Sequence, residues 1–205
     1  MEKVDFKKIF PDYKAKHHVL EIVEIPERQY LMVDGHGDPN TAQEYADALS
    51  AIYPIAYGIK FSSKGKGKDF VVPPLECLWS AEDYSSFTDK RDKNKWNWTA
   101  MVLMPEWITP QDFEQAFEKA KSKKDVSPAL DQVRLQAMSE GTCVQTLHIG
   151  SYDDEAEILA KMHDEFIPQH HLAFNGLHHE IYFNDPRKTA VEKLRTILRQ
   201  PVLSV

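Results

Sequence analysis

Hydrophobic positions recur along the chain in two series of the same order: an extended run, a glycine turn, and a helix with one apolar face. In the first series Tyr30-Leu31-Met32-Val33 reads as a strand, Gly35 and Gly37 as a turn, and Thr41-x-x-Glu44 as a capping box opening a helix. Tyr45, Ala48, Leu49 and Ile52 share one face of that helix, and Pro54 is expected to kink or end it. From Thr142 the signals return. Val144 to Ile149 is extended, Gly150 turns, and Asp153 or Asp154 caps a helix whose core face is Ile158, Leu159, Met162 and Phe166. Two further extended runs follow each helix: Val71 to Trp79 and Trp96 to Met104 in the first series, His178 to Phe183 and Leu194 to Val202 in the second. The pattern predicts an α+β fold of duplicated strand-helix-strand-strand modules.

The chain reads as one domain over 1–205, with module one at about 20–105 and module two at about 142–205. Between them, Thr109-Pro110 and Ser127-Pro128 each look like an N-cap followed by proline in the first turn. Phe113 and Phe117, then Leu130, Val133 and Met138, would line two linking helices over about 109–141. The Lys- and Gly-rich run 62–68 lacks the spacing of a phosphate-binding loop and reads as a solvated turn.

Composition narrows the function classes. Lys plus Arg number 25 and Asp plus Glu 32, a net charge of −7 that argues against a nucleic-acid surface. The longest mainly apolar stretch, Leu49 to Ile59, is far short of the roughly 18 residues of a membrane helix. The N-terminal residues lack the apolar core of a signal peptide, so a cytoplasmic location is expected. Cys77 and Cys143 are too few and too far apart for a disulfide framework or a cysteine-based zinc site. His170-His171 and His178-His179 are adjacent pairs whose members point to opposite faces of a strand, so no metal site and no cofactor are expected.

Two carboxylates stand out. Glu76 and Glu180 occupy corresponding places in the two modules, each in the strand after the helix and each among apolar or aromatic residues. An ionised carboxylate there needs a hydrogen-bond partner, a cationic ligand or a raised pKa, unless it lies on a solvent-facing side of the strand. Alternation puts Glu180 and Tyr182 on one face, with His179 and Ile181 on the other. A carboxylate beside a phenol suits either general acid–base work or the clamping of a cation. Trp96 and Trp98 also share a face, as a core wall or as a stacking platform for a flat ligand.

Three segments resemble the GyrI-like small-molecule-binding family: Asp34-Gly35-His36-Gly37-Asp38-Pro39-Asn40, Pro74-Leu75-Glu76-Cys77-Leu78-Trp79, and His178-His179-Glu180-Ile181-Tyr182-Phe183-Asn184-Asp185-Pro186-Arg187. Trp96-x-Trp98, Met104-Pro105 and the closing Leu198-Arg199-Gln200-Pro201-Val202 support the likeness, which runs from about residue 18 to the C-terminus. Cys77 departs from it, where a small residue such as glycine is expected. The resemblance implies two modules about a pseudo-twofold axis with a central ligand groove. It also implies a planar, amphipathic and cationic class of ligand, with Glu76, Trp79, Trp96 and Trp98 as binding residues. Some stand-alone members hydrolyse the cyclopropane of cyclopropanoid genotoxins. For that chemistry Glu180 would position or deprotonate water and Tyr182 would bond the carbonyl that becomes a phenolate. The alternatives are a non-catalytic multidrug-binding protein or a gyrase-modulating partner. No helix-turn-helix signal precedes the first strand, which argues against a DNA-binding regulator.

Overall fold

The structure, a computed structural model, describes residues 3–87, 90 and 92–205, without the side chains of Tyr84 and Ser85. Its elements are α1 (Phe6–Ile9), β1 (Glu21–Ile25), β2 (Arg28–His36), α2 (Gln43–Gly65), β3 (Leu75–Ser80), β4 (Asn97–Met104), α3 (Pro110–Lys121), β5 (Arg134–Met138), β6 (Gly141–Ile149), α4 (Ala156–Ala160), α5 (Ile167–Gln169), β7 (Leu172–Phe174), β8 (His178–Tyr182) and β9 (Arg195–Ser204). A π-helical turn, Lys161–Phe166, joins α4 to α5. The strands pair antiparallel, and the fold is α+β, as the two series of signals predict. The residues group into two compact units. Among the described residues no helix is long and apolar enough to cross a membrane.

The first unit holds residues 28–73 and 80–138 with the N-terminal segment through Ile9. In it β2 lies between β4 and β5, and Tyr30 to Val33, the run predicted as a strand, is buried. Gly35 pairs with Trp98 across β2 and β4, and a Cβ at Gly35 would stand 2.0 Å from the Trp98 indole. The glycine is there because the indole needs its space.

Helix α2 departs from expectation at its N-terminus, and Pro54 does not end it. Its N-cap is Ala42, with no side-chain cap bond, and it runs through Pro54 to Gly65. Proline inside a helix costs about 3 kcal/mol. Ile52, Ile55 and Ile59 are fully buried on one face, and each contributes about 2 kcal/mol, so packing outweighs the break. The run 62–68 is therefore partly helix.

Helix α3 forms as predicted. Thr109 and Asp112 close a reciprocal capping box, with Pro110 in the first turn. The second linking helix does not exist. Leu130–Gln132 is a single 3-10 turn, and Arg134–Met138 becomes β5, because the free edge of β2 offers it a full ladder from Arg28 to Met32. A cleft of about 320 Å³ lined by Phe113, Glu114, Phe117, Glu118, Asp131 and Val133 lies in this unit and contains none of the sequence-predicted site residues.

The second unit holds residues 10–27, 74–79 and 139–205. Its strands run in the order β1-β6-β9-β8-β3, with β7 paired to the end of β9. The short charged strand β1 was not among the predicted elements. Strand β3, expected with module one, pairs with β8 and belongs to this unit. Gly150 ends β6 with φ 139, a conformation open to glycine. The cap that follows is Ser151, whose side chain accepts from the Asp153 amide, in place of the expected aspartates. The predicted apolar face holds: Ile158 and Met162 join Val144, Ile167, Leu198 and Val202 in one core, with Leu159 and Phe166 packed against it.

Candidate active site on strand β8

The register of β3 on β8 decides where each candidate points. Leu75 faces Tyr182, Cys77 faces Glu180 and Trp79 faces His178, so these six side chains share one face. Glu76 faces Ile181 and Leu78 faces His179, which puts them on the other. The two carboxylates singled out from sequence thus sit on neighbouring strands but on opposite faces.

On the first face, Trp79 and Tyr182 stand at opposite ends of the paired stretch and meet over Cys77 and Glu180. Trp79 Nε1 donates to the Tyr182 hydroxyl oxygen at 3.0 Å, and that hydroxyl donates to Glu180 Oε2 at 2.6 Å. The other carboxylate oxygen, Oε1, lies 3.3 Å from His178 Nε2. The His178 and Glu180 side chains keep only 15% and 14% of their exposure. Tyr152 packs edge-on against Tyr182 at 5.6 Å. Burial, with Glu155, Glu180 and Asp185 adding, pushes the Tyr152 hydroxyl up to about 12, so it stays protonated. His163, in the π-helical turn, packs edge-on against His178 at 6.0 Å. Burial, reinforced by His178, lowers His163 to about 4, so its ring is neutral at pH 7.

On the opposite face Glu76 is fully buried in a network of charged groups. Tyr13 donates to Glu76 Oε1 at 2.5 Å, and His179 Nε2 lies 3.0 Å from Glu76 Oε2. His179 Nδ1 stands 2.9 Å from Glu140 Oε1, and Arg199 pairs with Glu140 at 3.1 Å and with Asp12 at 3.0 Å. Gln145 accepts from Arg199 and donates to the Asp12 carbonyl. Burial would lower His179, but Glu140 and Glu76 outweigh it and raise the ring to about 9. Burial would likewise raise Glu140, yet His179 and Arg199 hold it at about 2. His179 is therefore charged and Glu140 ionised at neutral pH. The cluster ties the turn Pro11–Lys14, which carries Asp12 and Tyr13, to β3, β8 and β9.

Of the six predicted site residues, the structure brings together Trp79, Glu180 and Tyr182. Glu76 belongs to the buried network. Trp96 and Trp98 lie in the first unit and do different jobs. Trp98 is 2% exposed and takes Tyr45 edge-on at 5.0 Å, as a core wall. Trp96 lies just before β4, stacks on Phe87 at 4.9 Å and donates to the Ser86 carbonyl. Residues His178, His163 and Tyr152 were not predicted for the site. Alternation marks His178 as the same-face neighbour of Glu180, a signal hidden by treating it only as half of a histidine pair. Nothing local marks the other two. Among the described residues no group of three or more His, Cys, Asp or Glu could hold a metal ion.

A tyrosine that bridges an indole donor and a carboxylate can pass a proton along its own hydroxyl. The carboxylate, held at one oxygen, has its other oxygen beside His178, where it can take a proton.

The family model described as the GyrI-like small molecule binding domain matches residues 18–203. Among solved structures, the chain is similar to an uncharacterized conserved protein from Listeria innocua at 39% identity and a TM-score of 0.88, covering 98% of this chain and 100% of that one. It is similar to a hydrolase from the same organism at 38% identity and a TM-score of 0.84, with the same coverage. The C-terminal domain of EcmrR, at 14% identity and a TM-score of 0.56 over 91% of this chain and 98% of that one, shares the fold alone. No curated protein matches the sequence significantly.

Proposed function

The chain belongs to the GyrI-like small-molecule-binding family, and on that footing we propose that it binds planar, amphipathic molecules over the Glu180 face of β8 and hydrolyses the cyclopropane of cyclopropanoid genotoxins. Two solved structures that it resembles at 38% identity are hydrolases, which supports a water-adding reaction. The observation that carries the reading is the relay from Trp79 through Tyr182 to Glu180.

In such a substrate the strained ring is conjugated to a carbonyl. Water, its proton drawn to Glu180, attacks a ring carbon. The new C–O bond forms as the ring C–C bond breaks, and that electron pair flows to the carbonyl oxygen, which becomes a phenolate. The Tyr182 hydroxyl turns to protonate the phenolate, and the carboxyl of Glu180, now protonated, rotates to return its proton to the Tyr182 oxygen. The sum is substrate plus water, with no other reactant. Trp79 stays bonded to the Tyr182 oxygen and keeps the phenol in place. A buried donor relay of this kind typically contributes about a hundredfold or more to rate.

The test is Glu180→Gln, which keeps the shape and removes the base. Turnover of a cyclopropanoid should vanish while the fold is kept, and unchanged kinetics would remove Glu180 from the centre of the mechanism. A second reading, binding without turnover, is favoured by one feature: Trp79, Tyr152 and Tyr182 ring a carboxylate, which suits a delocalised aromatic cation. It predicts micromolar binding of a rhodamine-type dye, weakened by the same substitution, about 8 kcal/mol of binding free energy.

A further inference from the structure

Three buried ring nitrogens on β8 and the π-helical turn make no hydrogen bond to any described residue: His178 Nδ1, His178 Nε2 and His163 Nε2. His178 Nε2 comes within 3.3 Å of Glu180 Oε1, but off the line of a hydrogen bond, which leaves the nitrogen unpaired. Buried polar atoms are nearly always paired, because an unpaired one loses its hydration without return. Three such atoms on two nearly perpendicular rings 6.0 Å apart, one of them 3.3 Å from the carboxylate oxygen that Tyr182 does not occupy, point to a shared polar guest.

The local backbone supports this. His163 lies in a π-helical turn, a rare element that recurs at functional sites, and it reaches the β8 face from there. His163 is neutral at pH 7, so its ring can accept a hydrogen bond as well as donate one, depending on tautomer. A small guest held by two to four polar partners in such a place is a water molecule.

We infer that His163, His178 and Glu180 Oε1 together seat the water that attacks the substrate. The inference rests on the hydrolase reading and adds to it where the nucleophile sits. Water donates one proton to Glu180 Oε1 and the other to an imidazole nitrogen, and its lone pair is left for the ring carbon. The proton that leaves goes to Glu180, and the histidines keep theirs. His163 and His178 touch the reacting water, so their effect falls on the chemical step and not on substrate binding.

The test has two arms. In kinetics with a cyclopropanoid, His163→Phe keeps the ring and removes its nitrogens. It should lower kcat about a hundredfold with KM unchanged, and His163→Gln, which restores a hydrogen-bonding group, should recover part of the loss. A His163→Phe protein that turns over at the wild-type rate overturns the inference. In the second arm, a high-resolution crystal structure of the wild type should show an ordered water bonded to Glu180 Oε1 and to an imidazole nitrogen. Its absence from that position overturns the inference even if hydrolysis is real. If the wild type hydrolyses no cyclopropanoid, the hydrolase reading fails by itself, and the crystal still decides whether these three groups hold a water.

Discussion

Replacing His179 by Gln removes a cation from between two buried carboxylates while keeping a side chain of similar length that can still hydrogen-bond. His179 lies 3.0 Å from Glu76 and 2.9 Å from Glu140, with no exposure. Its rise from the ordinary 6.5 to about 9 corresponds to roughly 3 kcal/mol at about 1.4 kcal/mol per tenfold in proton affinity. Breaking a buried ion pair costs about 3–5 kcal/mol by a separate route, so the two agree. Because the folded-state value is raised, this stability is fully present below about 6.5 and is lost as the pH rises through about 9. Urea unfolding of both proteins at about pH 6 and about pH 10 reads the effect. Wild type should be more stable by roughly 3 kcal/mol at the lower pH, a midpoint difference of about 1 M, and the gap should close at the higher pH. Equal stabilities at the lower pH, or a gap that does not shrink, would refute the assignment of His179 as the buried cation.

Other substitutions test neighbouring parts of the account. Gly35→Ala drives a methyl into the Trp98 indole, 2.0 Å away, and should cost about 3 kcal/mol, read as a lowered Tm. Thr109→Ala removes the capping box of α3 and should cost about 1 kcal/mol in urea unfolding. Trp79→Phe keeps an aromatic ring but removes the donor to Tyr182. Turnover should fall about tenfold with stability nearly unchanged, and an unaffected rate would show that Tyr182 does not need that bond.

Much of the fold was legible because periodicity is a local property. The strands around Val33, Val144, Ile181 and Ile197 and the apolar face of α4 were all written in residue spacing. Local reading failed where a distant partner decided. Pro54 sits inside α2 because three isoleucines bury behind it, and β5 forms because the edge of β2 is open. Strand β1 is five residues long, with Glu21 half-buried and Ile22 exposed, so no polar–apolar alternation marks it in the sequence. The site was half legible. Alternation along β8 places Glu180 and Tyr182 together, but the side on which Glu76 falls depends on cross-strand register, which no single strand encodes. The buried network was not legible at all, since Arg199 and Asp12 stand 187 positions apart.

The central claim, that Glu180 directs water onto a strained ring held over β8, is tested most directly by mass spectrometry. Purified wild type and Glu180→Gln are each incubated with a cyclopropanoid in oxygen-labelled water. The account predicts a ring-opened product carrying one labelled oxygen from the wild type and unchanged starting material from the variant. A wild type that leaves the cyclopropanoid intact, or a variant that forms the labelled product at the same rate, would contradict it.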